Sequence, residues 1–350
     1  MLLSIIILAH NKHEITLSCL KAISASQVPK PFETLLVDNA SFPPLEKILD
    51  ENILKATNVK IIRNEENLNF SKANNQAVKL ACGKYLLFLN NDVIIKNETI
   101  TRLIESCTPV SIVGGKLIFP ETGLIQHAGI SHMLWGKPSN YGVEAKTEHE
   151  AFNIKRERFA VTGALQIVRK EFFLQLGGFD EIFSWGYEDV DLCLKAKQAS
   201  AKIIYEPQAQ ATHIESATLS RVRSNNNDSR NYKHYRKKWD FKLKSAEDNY
   251  IESLLSHKNK LVGIFGTGAA ATSLFNRFSE TALETICFIS EQKTTQTPRS
   301  ISGIPVLDLN NSSKLPLDLM IIASQFHYNI YPRVSNFFHK DIILHPVVIE

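Results

Sequence analysis

Four apolar runs near the start of the chain constrain its fold most: LSIIILA from Leu3, TLLV from Thr34, KIIR from Lys60 and YLLFL from Tyr85. Each is too short for a helix and shows little polar alternation. A strand that is apolar on both faces must be covered on both faces, and helix-connected parallel strands achieve this where simple hairpins rarely do. Between the runs the apolar spacing turns helical. Leu17, Leu20, Ala22 and Ile23 mark a helix over His13–Ser26, and Ser71–Ala81 reads as another with Ser71 as N-cap. Strand, helix, strand in this rhythm predicts an α/β fold with a doubly wound, mostly parallel sheet.

Residues 114–160 are rich in Gly, Pro, His and polar residues and read as irregular structure with short strands. Pattern returns over 161–215, with a strand near Gly163–Val168, a helix near Lys170–Leu176, a Gly177-Gly178 turn, a helix over Glu188–Lys197 and a short strand at Ile203–Tyr205. Residues 216–257 read as polar and helical. A second α/β unit opens at Lys260, where LVGIF is a strand, GTGAAA a tight turn and TSLFNRF a helix, with further strands at Thr285–Ile289 and Leu319–Ala323. The expected organisation is a first domain over 1–250, ending in a basic helical segment at 216–250, and a small second domain over 259–350.

Composition excludes several classes. Of 350 residues, 44% are hydrophobic and 22% charged, so disorder is not the main state. The five cysteines are scattered without a CxxC pair, which argues against a disulfide framework or a zinc site and fits a reducing, cytoplasmic setting. The apolar start lacks a basic leader and a small-residue cleavage site, so it reads as a strand. No apolar run is long enough to cross a membrane. Residues 221–244 hold nine lysines and arginines against Asp228 and Asp240, a balance of +7 in a chain of +4, which leaves −3 for the rest. That run reads either as a solvated helix face or as a surface for anionic headgroups or phosphates. Tyr232, Tyr235 and Trp239 are too few to favour nucleic acid.

In a doubly wound sheet, ligands sit beyond the carboxyl ends of the strands. Three polar clusters fall there: His10-Asn11, Asp38-Asn39 and Asn90-Asn91-Asp92. Asp92 is the candidate ligand for a divalent cation such as Mg²⁺ or Mn²⁺, and Asp38 suits a nucleotide base N–H. Further along, Trp185-Gly186-Tyr187-Glu188-Asp189-Val190-Asp191 places three carboxylates at the entry to a helix. The helix dipole favours acids there, but transfer to a hydroxyl also needs a general base, and Asp189 is assigned that role with Asp191 as a brace. His213 lies downstream, where the chain can return to the metal. His10, His127 and His132 read as structural, with His127 a weaker acceptor-side candidate.

LSIIILAHN, LLVDNAS, NLNFSKANNQAVKLACGKYLLFLNNDV and VTGALQIVRKEFFLQLGGFDEIFSWGYEDVDLCLKA, in that order, resemble the bacterial family 2 glycosyltransferases of the GT-A fold, most closely their rhamnosyltransferase-like branch. The resemblance covers about residues 1–215 and extends weakly through KHYRKKW. It implies inverting transfer from a nucleotide-sugar donor (UDP- or dTDP-linked), with a divalent metal, to a glycan or lipid-linked acceptor in cell-envelope synthesis. The expected setting is cytoplasmic, with peripheral membrane contact through 221–244 as one of the two readings of that basic run. Donor-binding positions then fall on Ala9, Asn11, Asp38, Asn39, Asn69, Lys72, Asn90 and Asn91. Metal positions fall on Asp92 and His213, catalytic ones on Asp189 and Glu188, and acceptor-side ones on Trp185 and Gly186. The family's Asp-x-Asp motif becomes Asn90-Asn91-Asp92, one carboxylate short. That departure leaves a catalytically inactive donor-binding scaffold as the alternative. The second unit resembles small Rossmann-like domains: Gly266-Thr267-Gly268 follows its first strand and Glu291 its second, a pattern compatible with structural, sugar-nucleotide or nicotinamide-binding roles.

Overall fold

The computed structural model of the protein describes residues 1–134, 136–184, 186–214, 225–254, 260–278, 283–291, 297–324, 327–344 and 348–349. The chain divides into two compact units, one of Met1–Ile130 and Asn140–Lys238, the other of Ser131–Ser139 and Trp239–Glu350. The change-over at Lys238 lies inside a 30-residue helix, Asn225–Leu254, upstream of the 250–259 stretch.

Each early apolar run becomes a strand of the first unit: β1 (Leu3–Ala9), β2 (Phe32–Asn39) and β4 (Tyr85–Asn90) are buried, while β3 (Val59–Asn64), at the sheet edge, is half-buried with Lys60 and Arg63 exposed. They alternate with α1 (His13–Ala25), α2 (Glu51–Ala56) and α3 (Phe70–Leu80). The cap of α3 is Asn69 rather than Ser71: its side chain accepts the Lys72 N–H at 2.8 Å, while Ser71 is buried inside the first turn. The short strand β5 (Val93–Ile95) and helix α4 (Thr99–Ser106) follow. The next elements are β6 (Ser111–Ile118), β7 (Ile125–His127), β8 (Ile130–Met133), β9 (Pro138–Asn140) and β10 (Arg156–Glu157), of which β8 and β9 fall almost wholly in the Ser131–Ser139 segment of the second unit. The first unit closes with β11 (Leu165–Arg169), α5 (Lys170–Gln175), α6 (Glu188–Gln198) and β12 (Lys202–His213), before the long helix.

The sheet runs β10-β12-β6-β11-β4-β1-β2-β3, with β5 paired to β12 and β7 to β6. The long strands are parallel except β11, which runs antiparallel between β4 and β6. The 114–160 stretch, expected to be irregular, begins instead with most of a fully buried strand, β6. Its sequence, SIVGGKLI, hides the strand because glycines and a lysine interrupt the apolar run. The glycines allow close approach: a Cβ on Gly115 would come 2.4 Å from the Ala209 carbonyl oxygen. Lys116 is fully buried and donates to Asn153 Oδ1 at 2.6 Å. β12 is also longer than the expected Ile203–Tyr205, because Pro207 interrupts the pattern where the register shifts between Glu206 and Gln210.

The second unit is built on parallel strands Leu261–Phe265, Glu284–Ser290, Ile304–Asp308, Leu319–Ile322 and Ile343–Leu344. Their spatial order is third, second, first, fourth, fifth, with Ser300–Ile301 antiparallel at the edge. That order is the doubly wound arrangement of dinucleotide folds. Separate apolar clusters cover its two faces, one around Val262, Ile264 and Phe288, the other around Cys287, Met320 and Ile322. The architecture is therefore the expected one, a doubly wound sheet followed by a small Rossmann-like α/β unit.

On one face of the large sheet, Phe88 of β4 packs against Phe173 and Phe179 at ring separations of 5.1 and 4.8 Å. All three rings are buried. Phe88→Ala leaves a cavity under α5 and is expected to destabilise the first unit by ~3–5 kcal/mol, read from the urea midpoint of that unit's unfolding. A loss below ~1 kcal/mol would show that this aromatic cluster is not a core.

Candidate active site

The carboxyl ends of β1 and β2 are laced together. His10 Nδ1 lies 2.7 Å from the Asn39 carbonyl oxygen, and the Asn11 N–H donates to Ser41 Oγ at 2.9 Å. Asn11 also accepts the Phe42 N–H through Oδ1 at 2.8 Å. Asp38, with no exposed surface, accepts from the Ser41 and Leu45 N–H groups at 3.0 and 2.9 Å and from Arg63 Nη1 at 2.7 Å. Burial alone would push its carboxyl up, but these donors outweigh it and hold the group below the usual carboxylate range. Asn39 is equally committed: its amide bonds Asn64, Asn67 and Leu68. Asp38 and Asn39 thus brace the loops beyond β2, and neither side chain is open to a donor as expected. Ala9 is buried at the end of β1. Asn11 remains half-buried, and Lys72 is exposed in the first turn of α3.

Beyond β4, the Asn91 amide turns inward to Thr16 Oγ1 at 2.9 Å, so it anchors α1. Asp92 goes the other way. The β5–β12 ladder pairs Val93 with His213, and the Ile214 N–H donates to the Asp92 carbonyl at 3.1 Å. His213 Nε2 then lies 3.1 Å from Asp92 Oδ1, both residues mostly buried. The two positions expected for metal meet, although 121 residues separate them. Behind His213 stands Gln126 of β7, whose Oε1 lies 2.8 Å from Nδ1. Among the described residues no third His, Cys, Asp or Glu joins the pair. A nitrogen and a carboxylate oxygen facing each other at this spacing suit a divalent cation whose other positions are filled by phosphate oxygens and water.

The second carboxylate pair enters from α6. Tyr187, at φ 75°, sits in the left-handed region at the helix start, and Gly186 before it is also left-handed at φ 84°. The turn buries Glu188 and leaves Asp189 half-buried. Asp189 Oδ2 accepts the Gly163 N–H at 3.0 Å, and Oδ1 accepts the Val190 N–H at 2.8 Å. Gly163 lies next to Ala164, whose carbonyl takes the Asn90 N–H at 3.0 Å. One main-chain junction between β4 and β11 therefore sets Asp189 and Asp92 on the same edge of the sheet.

The two acids differ. Burial, then the charge of Asp189, pushes the Glu188 carboxyl up to about 8, and its Oε2 is buried without a hydrogen-bond partner among the described residues. Burial also raises Asp189, but two main-chain N–H donors favour its anion. The two neighbouring acids thus differ in hydrogen-bond supply: Asp189 has two main-chain donors on its carboxylate, and burial pushes Glu188 up to about 8. Asp191, fully buried, is a brace, 2.8 Å from Lys238 Nζ and 3.6 Å from Lys195 Nζ. Lys238 also holds Asp180 at 2.6 Å, and Asn231 donates to the Gly186 carbonyl at 3.4 Å. The start of the long helix thus packs on the acidic turn, and Lys238 of the basic run serves the fold. Trp185 lies outside the described residues. In the second unit, Glu291 pairs with Arg333.

Sequence reasoning missed Gln126 and Gly163. Gln126 carries no local signal, because its partner is 87 residues away. Gly163 sits inside VTGALQIV, where a glycine at a strand entry is the one available hint.

Fold and edge together make the first unit a GT-A type α/β domain. Through this unit the chain is similar to glycosyl transferase family 2, whose model matches residues 4–175. Residues 143–237 match a model described as the N-terminal domain of galactosyltransferase. The O-antigen biosynthesis protein RfbC of Myxococcus xanthus is 34% identical over 203 residues, 53% of this chain and 15% of that protein. A putative polypeptide N-acetylgalactosaminyltransferase 10 of Drosophila melanogaster is 25% identical over 285 residues, 76% of this chain and 43% of that protein. The chain thus spans less than half the length of these relatives. The structure of GalNAc-T7 with UDP, GalNAc and Mn²⁺ shares the fold at a TM-score of 0.50 and 18% identity, over 61% of this chain and 44% of that one. Among the described residues no helix is long and apolar enough to cross a membrane.

The Glu188 environment gives a pH signature. Its folded-state pKa, about 8, lies above the ordinary 4.5, so between those pH values the native state holds a proton that the unfolded state has released. Stability must therefore fall as pH rises through that window. Glu188→Gln removes this slope and is expected to be more stable than the parent at pH 8 by on the order of 1–3 kcal/mol, converging with it near pH 4. Denaturant midpoints across pH measure it; parallel curves for the two proteins would refute the assignment.

Proposed function

We propose that the first unit is an inverting, metal-assisted glycosyltransferase using a nucleotide-sugar donor and an acceptor hydroxyl. The observation that carries this reading is the convergence of the Asp92–His213 pair and the Glu188–Asp189 pair on one sheet edge. Asp189, held by the Gly163 and Val190 N–H groups, takes the proton of the acceptor hydroxyl. The acceptor oxygen bonds to the anomeric carbon as the bond from that carbon to the diphosphate breaks, and the nucleoside diphosphate departs with the electron pair. Attack from the side opposite the leaving group inverts the anomeric centre. A divalent cation held by Asp92 and His213 would stabilise the charge that develops on the diphosphate. Glu188, neutral and buried beside the base, adds no second negative charge near the leaving group. The half-buried Asn90 and Asn11 and the exposed Lys72 are the expected donor contacts that remain open to solvent.

Asp189→Asn can keep one of the two main-chain contacts through its amide oxygen and removes the base. With a panel of UDP- and dTDP-sugars, it should bind donor as the parent does while losing ~10²–10⁴-fold in nucleotide diphosphate release. Parent-like turnover would remove Asp189 from the role. A parent that binds donor but releases no nucleotide diphosphate would instead establish the scaffold reading that Asn90 raises.

The acceptor side fits a cell-envelope glycan precursor at an anionic membrane. Lys233, Lys237, Lys242 and Lys244 of the long helix are exposed, and Phe241 is 87% exposed among them. A cationic surface with a projecting aromatic suits adsorption to acidic headgroups. Sedimentation with vesicles containing phosphatidylglycerol should pull down the parent at low salt and lose about tenfold in affinity on Phe241→Ser with Lys242→Gln and Lys244→Gln. Equal binding to neutral vesicles, or no binding, would refute it.

A further inference from the structure

Gln126 is 2% exposed and touches His213 twice. Its Oε1 lies 2.8 Å from His213 Nδ1, and its Nε2 donates to the His213 main-chain carbonyl at 3.3 Å. The second contact decides the first. An amide that gives its nitrogen to a carbonyl has its oxygen left for the ring, so Nδ1 carries the hydrogen and donates it. In the neutral ring, Nε2 then turns a lone pair towards Asp92 Oδ1, 3.1 Å away. At that spacing either a hydrogen on Nε2 or a cation held by both atoms joins the pair.

The backbone behind this contact is fixed. β7 pairs with β6 through Leu117–His127 and Ile118–Ile125, and the neighbouring His127, fully buried, holds Asn140 Oδ1 at 2.9 Å through Nδ1. Burial lowers the His127 pKa to about 4, so this neighbour stays neutral and adds no charge to the edge. Gln126 is therefore anchored at the centre of a three-residue strand, between the buried Ile125 and His127.

We propose that Gln126 is a positioning residue: it clamps His213 by ring and main chain so that Nε2 faces Asp92, and the pair forms a preset seat for a divalent cation. An imidazole ligand works best when its other nitrogen is held by an acceptor, which fixes ring and tautomer together. Here a neutral amide does this work, and its second contact to the same residue resists ring rotation. The proposal rests on the reading that this edge binds a sugar diphosphate with a cation.

The test counts free Mn²⁺ by electron paramagnetic resonance in the presence of UDP, with circular dichroism to establish folding. Gln126→Leu, nearly equal in size, is expected to weaken Mn²⁺ affinity ~10–100-fold. Gln126→Glu, which still accepts from Nδ1 but gives up the donation to the His213 carbonyl, is expected to bind Mn²⁺ more tightly than Gln126→Leu. A folded Gln126→Leu that binds Mn²⁺ as tightly as the parent would overturn the proposal while the cation reading stands. So would a weak Gln126→Leu that Gln126→Glu does not rescue. A parent that binds no Mn²⁺ with UDP would remove the cation seat itself, and the role of Gln126 with it.

Discussion

The antiparallel insertion of β11 between two parallel strands is the constraint on which the site depends. Because β11 runs against β4, its first residues lie beside the last residues of β4, and the Asn90 N–H meets the Ala164 carbonyl. A parallel strand there would have delivered its start to the far edge of the sheet. Gly163, one residue earlier, then offers its N–H to Asp189. Asp92 and Asp189 thus share an edge through main-chain geometry, which side-chain substitutions leave largely intact.

Charge is divided along that edge by hydrogen-bond supply. Asp38 and Asp191 are buried anions made tolerable by donors and ion pairs, and both brace loops or helices. Asp189 has two main-chain donors and retains basic character through burial. Glu188 has an oxygen with no described partner and holds its proton. Four acids of similar sequence prominence therefore reach different environments. The difference lies in the number of N–H groups and cations that the fold turns towards each one.

Much of the frame was legible in the sequence. The apolar runs at Leu3, Thr34, Lys60 and Tyr85 became β1–β4 because a continuous apolar strand has few other stable fates. Asp92 was placed by its strand end and His213 by the family resemblance, and the structure puts the two side chains 3.1 Å apart. Other expectations met residues with competing obligations. Ser71 lost the cap to Asn69, whose side chain reached the Lys72 N–H first. Asp38, Asn39 and Asn91 turned inward to satisfy buried loops, since unpaired polar groups there would cost more than an open donor site gains. β6 was hidden because its glycines and Lys116 serve neighbours distant in sequence, Val161, Ala209 and Asn153.

By itself the sequence determined the alternation of strands and helices, the polar strand ends and the acidic helix entry at residue 188, because apolar periodicity and turn chemistry act over a few residues. The tertiary structure alone decided which polar residues point outward, which of two adjacent acids keeps a proton, and that Gln126 stands behind His213. Those outcomes depend on burial and on partners up to 121 residues apart, and such contacts leave no local trace in the chain.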